Sequence, residues 1–238
     1  MRDTYRYKIA DLIVDVTHNS DTLRRNGSKY VYKSCEPADI KIDVPDENIS
    51  YAMKCAPAFN EDYAEYFMSG TDFYRALINY NGFMIHSSCV AVDGKSYLFS
   101  ADSGVGKSTH TSLWCEYLGK RAVVLNDDKP AVRFVDGAFY AYGTPWSGKN
   151  DLSCNERAIV SALVFIERDK NCSIEKVSSG EAVKRILPQM IRYIGYDQMD
   201  KQLSMLDCFL SVIPAYLLRC TPYIESAELA WETLKDKN

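Results

Sequence analysis

Apolar positions along the 238-residue chain fall in short blocks separated by polar turns. Tyr7 to Val16 has strand composition, and Asp39 to Val44 alternates polar and apolar with the period of a half-buried strand. The polar stretch between them, with Gly27, predicts loops and a short hairpin. Tyr63, Tyr66, Phe67, Phe73, Tyr74, Ala76, Leu77 and Ile78 recur near three- and four-residue spacing, so residues 61–82 read as a helix lying against a sheet. Gly70 marks a break in it and Asn81-Gly82 its end. FMIHSSCVAV, Asp93-Gly94 and KSYLFS predict a hairpin over residues 83–100. Ala131–Val135, Asp136-Gly137 and Ala138–Tyr142 predict a second by the same turn chemistry. A helix opens at Lys107 and runs toward Trp114, followed by a short buried strand, Ala122 to Leu125.

Beyond the second hairpin, Gly143 to Asn150 reads as a turn-rich loop, with Trp146 and Lys149 exposed. Ile159 to Ile166 is a buried strand, residues 170–177 a further strand, and Ser179 to about Ile186 a helix with Pro188 just past it. Residues 189–211 are mixed and mainly helical, Ile213 to Leu218 is a last strand, and Glu225 to Lys235 a terminal helix. No repeat, low-complexity tract or linker interrupts the chain. The pattern predicts one domain over residues 1–238: a β-rich N-terminal part plus helix (1–82) and a core (83–238). The fold class is α/β with an α+β tendency, a mixed sheet with hairpins and flanking helices; a simple βαβα alternation would need fewer hairpins.

Charge changes this picture only by exclusion. The net charge is −4 and no Lys/Arg cluster appears, which argues against nucleic acid as a partner. The 17 Tyr are scattered and read as core and surface fillers. The cysteines, at 35, 55, 89, 115, 154, 172, 208 and 220, form no CxxC pair and no zinc-ligand spacing with histidine. MRDTYRYKIADLIVDV lacks the apolar block of a signal peptide, and no apolar run of about eighteen residues occurs. The expectation is a cytoplasmic protein with no membrane partner and reduced thiols.

Chemistry concentrates in Tyr97 to Trp114, YLFSADSGVGKSTHTSLW. An apolar strand enters a loop of small residues, and the loop opens a helix at Lys107-Ser108, the context of a P-loop. N–H groups of Ser103, Gly104, Val105, Gly106, Lys107, Ser108 and Thr109 converge where a helix start has no internal acceptors. The helix dipole adds about half a positive charge there, so the cavity suits a polyphosphate. Lys107 can reach β- and γ-phosphates, and the Ser108 hydroxyl can bind Mg²⁺. The first glycine of G-x-x-x-x-G-K-[ST] is replaced by Ala101, which requires a loop with no left-handed residue at that point.

Asp127 and Asp128 follow the strand after the P-loop helix, where an acid holding Mg²⁺ is expected. Two adjacent carboxylates suit two tasks, metal ligand and general base, and their roles are not separable from sequence. A solvated N-D-D-K-P turn is the structural alternative. His86, on the strand before the P-loop strand, can face the phosphate cavity or serve as a structural histidine. His110 reads as a helix-face residue and His18 as a loop residue. Gly143 to Lys149 can border an acceptor or nucleotide pocket, or be a plain connector. Arg133, Arg157 and Arg168 are candidate γ-phosphate partners, though each alone reads more readily as a surface charge.

IHSSCVAV, SADSGVGKS and VVLNDD together resemble the catalytic domain of HPr kinase/phosphorylase, with more distant similarity to phosphoenolpyruvate carboxykinases. GKSTHTSLW, NDDKP and YGTPWSGK are similar to the small stand-alone HPr-kinase-like proteins of bacteria, some of them serine kinases and some peptide-tailoring kinases. The resemblance covers roughly residues 83–170, with weaker similarity over 213–235. It implies a P-loop kinase fold of the HPr kinase/phosphoenolpyruvate carboxykinase type, ATP or another nucleoside triphosphate, and Mg²⁺. It also implies catalytic roles for His86, Lys107, Asp127 and Asp128, with the metal on Ser108 and the aspartates. The implied activity is transfer of the γ-phosphoryl group to a hydroxyl acceptor, a seryl group of a small protein or peptide. The alternatives are a free small molecule such as serine, and a nucleotide-binding regulatory module without transfer. Ring-like assemblies in that family extend the resemblance to a homo-oligomer. The segment by which HPr is handled is absent and the N-terminal part does not resemble that family's regulatory domain, so HPr itself and the phosphorylase reaction are not implied.

Overall fold

A computed structural model describes residues 2–148, 150–193 and 195–236. The N-terminal part is a three-stranded sheet covered by helices. Strands β1 (Asp3–Ile9) and β2 (Leu12–His18) form a hairpin, and β3 (Ile40–Asp43) lies parallel to β2. The single strand expected over residues 7–16 is therefore two. The chain reverses at Ala10 and Asp11, both at positive φ (52° and 61°), the pair of left-handed residues a two-residue hairpin needs. Neither is glycine, and the turn is held from outside: the Asp11 carboxylate accepts from Arg157 at 2.6 Å and from the Tyr142 hydroxyl at 2.9 Å.

Two further helices form in this part, the first where loops and a short hairpin are predicted. Helix α1 (Asp21–Gly27) is capped by the Ser20 hydroxyl, which accepts from the Leu23 N–H at 3.1 Å, and α2 (Asp46–Cys55) begins after Pro45. Helix α3 (Glu61–Leu77) runs unbroken through Gly70, is capped by Asn60, and stops at left-handed Asn81 after one turn of tighter helix. Its buried face, with Tyr66, Phe73, Tyr74 and Leu77, packs on the three strands. His18 is buried at the end of β2, 3.1 Å from the Tyr7 hydroxyl, and is no loop residue.

The main sheet has nine strands: β4 (Gly82–Met84), β5 (Ser87–Val92), β6 (Lys95–Ser100), β7 (Ala122–Asn126), β8 (Ala131–Val135), β9 (Ala138–Tyr142), β10 (Arg157–Arg168), β11 (Ser173–Lys176) and β12 (Ala215–Cys220). The path runs β4-β8-β9-β10-β6-β5-β7, with β12 also on β10 and β11 on β12. Only β6, β10 and β12 pair in parallel, so the sheet is mixed. It curls along β10, which pairs β9 at its start and β6 and β12 further on, with a register shift between Val160 and Ala162. Both Asp-Gly hairpins form, with Asp93, Gly94, Asp136 and Gly137 all at positive φ. The strand expected over 83–92 is interrupted at Ile85-His86, where the chain leaves its pairing with β8 and joins β6 and β7.

Central strands are apolar on both faces. In β6, Leu98 packs with α5 (Ser179–Ile186) and α6 (Tyr196–Val212), whereas Tyr97 and Phe99 pack with α4 (Lys107–Leu118) and α7 (Ile224–Leu234). Trp114 of α4 is buried between them, 4.9 Å from Tyr97 and 5.7 Å from Trp231 ring to ring. No helix among the described residues is long and apolar enough to cross a membrane.

Candidate active site

The register of the main sheet gathers the candidate residues at one edge. β5 runs antiparallel to both β6 and β7, with Ser87 opposite Ser100 and Cys89 opposite Asn126. The start of β5 therefore lies beside the ends of β6 and β7. His86, the loop after Ser100, and Asp127-Asp128 meet there, and β10 brings Arg168 to the same side.

The loop from Ala101 to Gly106 turns through two left-handed glycines, Gly104 (φ 80°) and Gly106 (φ 132°), directly before α4. Ala101 has no positive φ, which is the condition its replacement of glycine imposes. Ser103 and Gly104 are exposed at the tip, and Thr109 is exposed on the first turn of α4. The helix start is fixed to the sheet by the Thr111 and Ser88 hydroxyls, 2.8 Å apart. Lys107 is buried and donates to the Ala101 carbonyl at 2.9 Å, so its ammonium lies under the loop. Burial pulls its pKa down from the ordinary lysine value, opposed by Asp128 and Asp102. Arg168 donates to the Gly104 and Val105 carbonyls, the latter at 2.8 Å. It braces the loop from outside. Arg133 and Arg157 are elsewhere: Arg133 donates to Tyr80 and Ala10 carbonyls, and Arg157 pairs with Asp11.

The two aspartates occupy opposite electrostatic environments. Asp128 Oδ1 lies 3.1 Å from His86 Nε2, and Lys129 pairs with Oδ2. Burial acts to raise the Asp128 pKa, but the His86 hydrogen bond and the Lys129 charge outweigh it and hold the carboxyl well below the usual range. Asp127 is 3% exposed. Its Oδ1 accepts from the Gly148 N–H, while Oδ2 has no partner among the described residues. Burial pushes its pKa up, the Gly148 N–H opposes this, and the Asp128 charge adds to it. Gly148 eases the approach, because a Cβ there would stand 3.1 Å from the carboxylate, a tight contact.

Several residues of this arrangement carry no motif. Gln189, in a short turn after α5, accepts on its Oε1 from His86 Nδ1–H (2.8 Å), takes the His86 backbone N–H on its carbonyl (2.7 Å) and donates to Asp102 at 2.8 Å. It links the histidine to the loop across the sheet edge. Lys129 and Gly148, the direct partners of the two carboxylates, fall inside NDDKP and YGTPWSGK, but the sequence assigned neither of them this contact. Trp146, expected exposed, is buried: its ring stacks on Phe73 (4.9 Å between centroids) and its Nε1–H donates to Ser69 at 3.2 Å. Gly70 makes room for it, since a Cβ there would meet the indole at 2.6 Å, and this explains a glycine inside an unbroken helix. Lys149 lies outside the described residues. His110, expected on a helix face, is buried against Phe99, accepts from the Trp114 indole at 3.0 Å, and burial lowers its pKa to about 3.

Beside the loop is a cavity of about 440 Å³, lined by Val105, Gly106, Thr109, Leu113, Arg168 and Pro222 among others. Its volume is within the usual range of small-molecule sites. Among the described residues no group of three His, Cys, Asp or Glu side chains is gathered as a metal cage.

No protein-family model matches the chain, and no curated protein sequence matches it. Among solved structures the fold is similar to the Hpr(Ser) kinase/phosphatase from Coxiella burnetii, with 11% identity and a TM-score of 0.38 over 65% of this chain and 99% of that one. A likeness of that size carries no argument about activity.

Proposed function

We propose that the chain is a phosphotransferase of the P-loop kinase type, which moves the γ-phosphoryl group of ATP or another nucleoside triphosphate to a hydroxyl acceptor. The observation that carries the reading is the meeting, at one sheet edge, of a doubly left-handed glycine loop, a buried lysine beneath it, and two carboxylates of opposite character. The nucleoside would occupy the 440 Å³ cavity and its phosphates the N–H groups of the loop and first turn of α4.

Hard oxygen donors are what Mg²⁺ selects, and Ser108 with Asp128 would supply them without a full protein cage, phosphate and water completing the site. Bound there, Mg²⁺ would neutralise charge on the phosphates. Asp127, with one unpaired buried oxygen and a raised pKa, is suited to take the proton of the acceptor hydroxyl. The acceptor oxygen forms a bond to the γ-phosphorus as the bond to the β–γ bridging oxygen breaks, and a nucleoside diphosphate leaves. Lys107 stabilises the charge spread over the transferring group. His86, fixed by Gln189 and by Asp128, holds the latter carboxylate in place. The acceptor proposed is a seryl group of a small protein or peptide. The eight cysteines are all unbridged, which supports a cytoplasmic setting.

The test is transfer from γ-labelled ATP with Mg²⁺ to a panel of peptides, small proteins and hydroxy-metabolites. Label is expected in one acceptor class and lost in Lys107→Ala. Tight ATP binding with no labelled acceptor and no labelled phosphate would replace this reading with that of a regulatory nucleotide-binding module.

A further inference from the structure

A second hollow reaches toward the aspartates through Lys129, the partner of Asp128. It has a volume of about 100 Å³ and is enclosed by Tyr66, Gly70 and Tyr74 of α3, Met84 of β4, Lys129 and Trp146. We propose that it is the acceptor subsite, and that it takes an apolar side chain next to the accepting seryl group of a peptide; this rests on the phosphotransfer reading above.

Its position is the first argument. Lys129 lines the hollow and pairs with Asp128. Trp146 forms one wall, and Gly148, two residues on, donates its N–H to Asp127. Asp128 is thus one contact from the wall of the hollow, and Asp127 touches a residue two positions along the chain from it. A residue seated in it would place its chain neighbour beside them.

Its size and chemistry limit the occupant. A cavity of about 150 Å³ holds benzene, so 100 Å³ accepts one branched or unbranched aliphatic group and no phosphate-bearing nucleotide. The Tyr66 hydroxyl donates to the Pro145 carbonyl at 3.0 Å and accepts from the Ser147 N–H, and the Tyr74 hydroxyl donates to the Lys129 carbonyl. What these side chains offer inward is ring surface. Lys129, the charge on the lining, is already paired. A free amino acid would bring an ammonium and a carboxylate against a lining that offers neither an unpaired charged partner among the described residues, which is costly. A peptide brings neither.

The opening extends the same chemistry outward. Tyr63 and Phe67, one turn apart on α3, stand at the mouth with 40% and 37% exposure. Phe59 packs against both, at 4.8 and 5.4 Å between centroids. This aromatic rim is wider than a single buried group needs and suits the residues flanking it in a chain.

The experiment uses capped seryl peptides that differ only in the residue beside serine (glycine, valine, leucine or lysine), with free L-serine as a separate arm. Binding is read by calorimetry, and transfer by γ-labelled ATP. Valine or leucine is expected to bind and react at least tenfold better than glycine, lysine or free serine. Thr71 of α3, half-buried, also lines the hollow; Thr71→Phe, which fills it, is expected to abolish that preference, and Met84→Ala to shift it toward leucine. An ATP-dependent thermal shift in both variants confirms that they are folded. Transfer that is indifferent to the neighbouring residue, or that prefers free serine, would overturn the subsite and leave the kinase reading intact. Side-chain-dependent binding without transfer to any peptide would leave an apolar peptide-binding hollow but overturn both its role as an acceptor subsite and the kinase reading.

Discussion

Replacing Asp127 by asparagine should make the protein more stable and far less active. The side chain is 3% exposed, has one oxygen satisfied by the Gly148 N–H, and has the other without a partner among the described residues. A buried charged group left short of a partner costs about 1–3 kcal/mol or more. Asparagine keeps the acceptor toward Gly148 and removes the charge, but leaves an amide N–H₂ in a confined space, which returns part of the gain. The net expectation at pH 7 is about 1 kcal/mol of added stability, or about 2–4 °C in Tm for a chain of this size. The pH dependence identifies the cause. Because burial raises the folded-state pKa, the native carboxyl is favoured while protonated, and that advantage is lost as pH rises from the unfolded value, about 3.9, through the folded one. The gain from Asp127→Asn should therefore be present at pH 7 and absent below about pH 4. If Asp127 is the general base, transfer should fall about 10²–10⁴-fold. Thermal melts at the two pH values, with transfer assays on the same samples, make the check. A variant that melts lower at pH 7 and transfers normally would refute both the orphaned oxygen and its role.

Asp128 should behave with the opposite sign. His86 and Lys129 hold its pKa below the usual carboxylate value, so the stability it contributes is present above about pH 3.9 and lost as pH falls below it; Asp128→Asn should melt lower than the wild type at pH 7, and the deficit should shrink as the wild type is titrated below pH 4. Gly70→Ala places a methyl group 2.6 Å from the Trp146 ring. Overpacking of about 1–3 kcal/mol, less up to about 1 kcal/mol of helix propensity, predicts a lower Tm by several degrees in calorimetry, whereas a rise would show that Trp146 yields freely.

What could be seen in the sequence was whatever is decided by neighbours in the chain. The Asp93-Gly94 and Asp136-Gly137 turns adopt positive φ because those residues tolerate it, and the hairpins form where expected. Gly104 and Gly106 are legible for the same reason, as are two carboxylates at the end of a short apolar strand. The Ala10-Asp11 turn was not, since its cause is Arg157 and Tyr142, more than a hundred residues away in the sequence. Trp146 looked exposed because its partners, Phe73 and Gly70, belong to a helix whose periodicity says nothing of what it will cover. Gln189 follows a proline with no pattern at all, and only the closing of the sheet edge brings it to His86 and Asp102.

These long-range contacts give the N-terminal part a role that its own sequence does not suggest. The small sheet β1-β2-β3 supports α3, and α3 holds Trp146 and the Tyr66 hydroxyl. Those contacts fix the 143–148 loop, and that loop delivers the Gly148 N–H to Asp127. The buried carboxylate is therefore positioned by residues from both parts of the chain, while the glycine loop depends on the core alone through Arg168 and the Ser88–Thr111 contact. A perturbation of α3 should accordingly reach acceptor chemistry at Asp127 before it reaches nucleotide binding at the loop, because the P-loop and its braces make no hydrogen bond to α3 among the described residues.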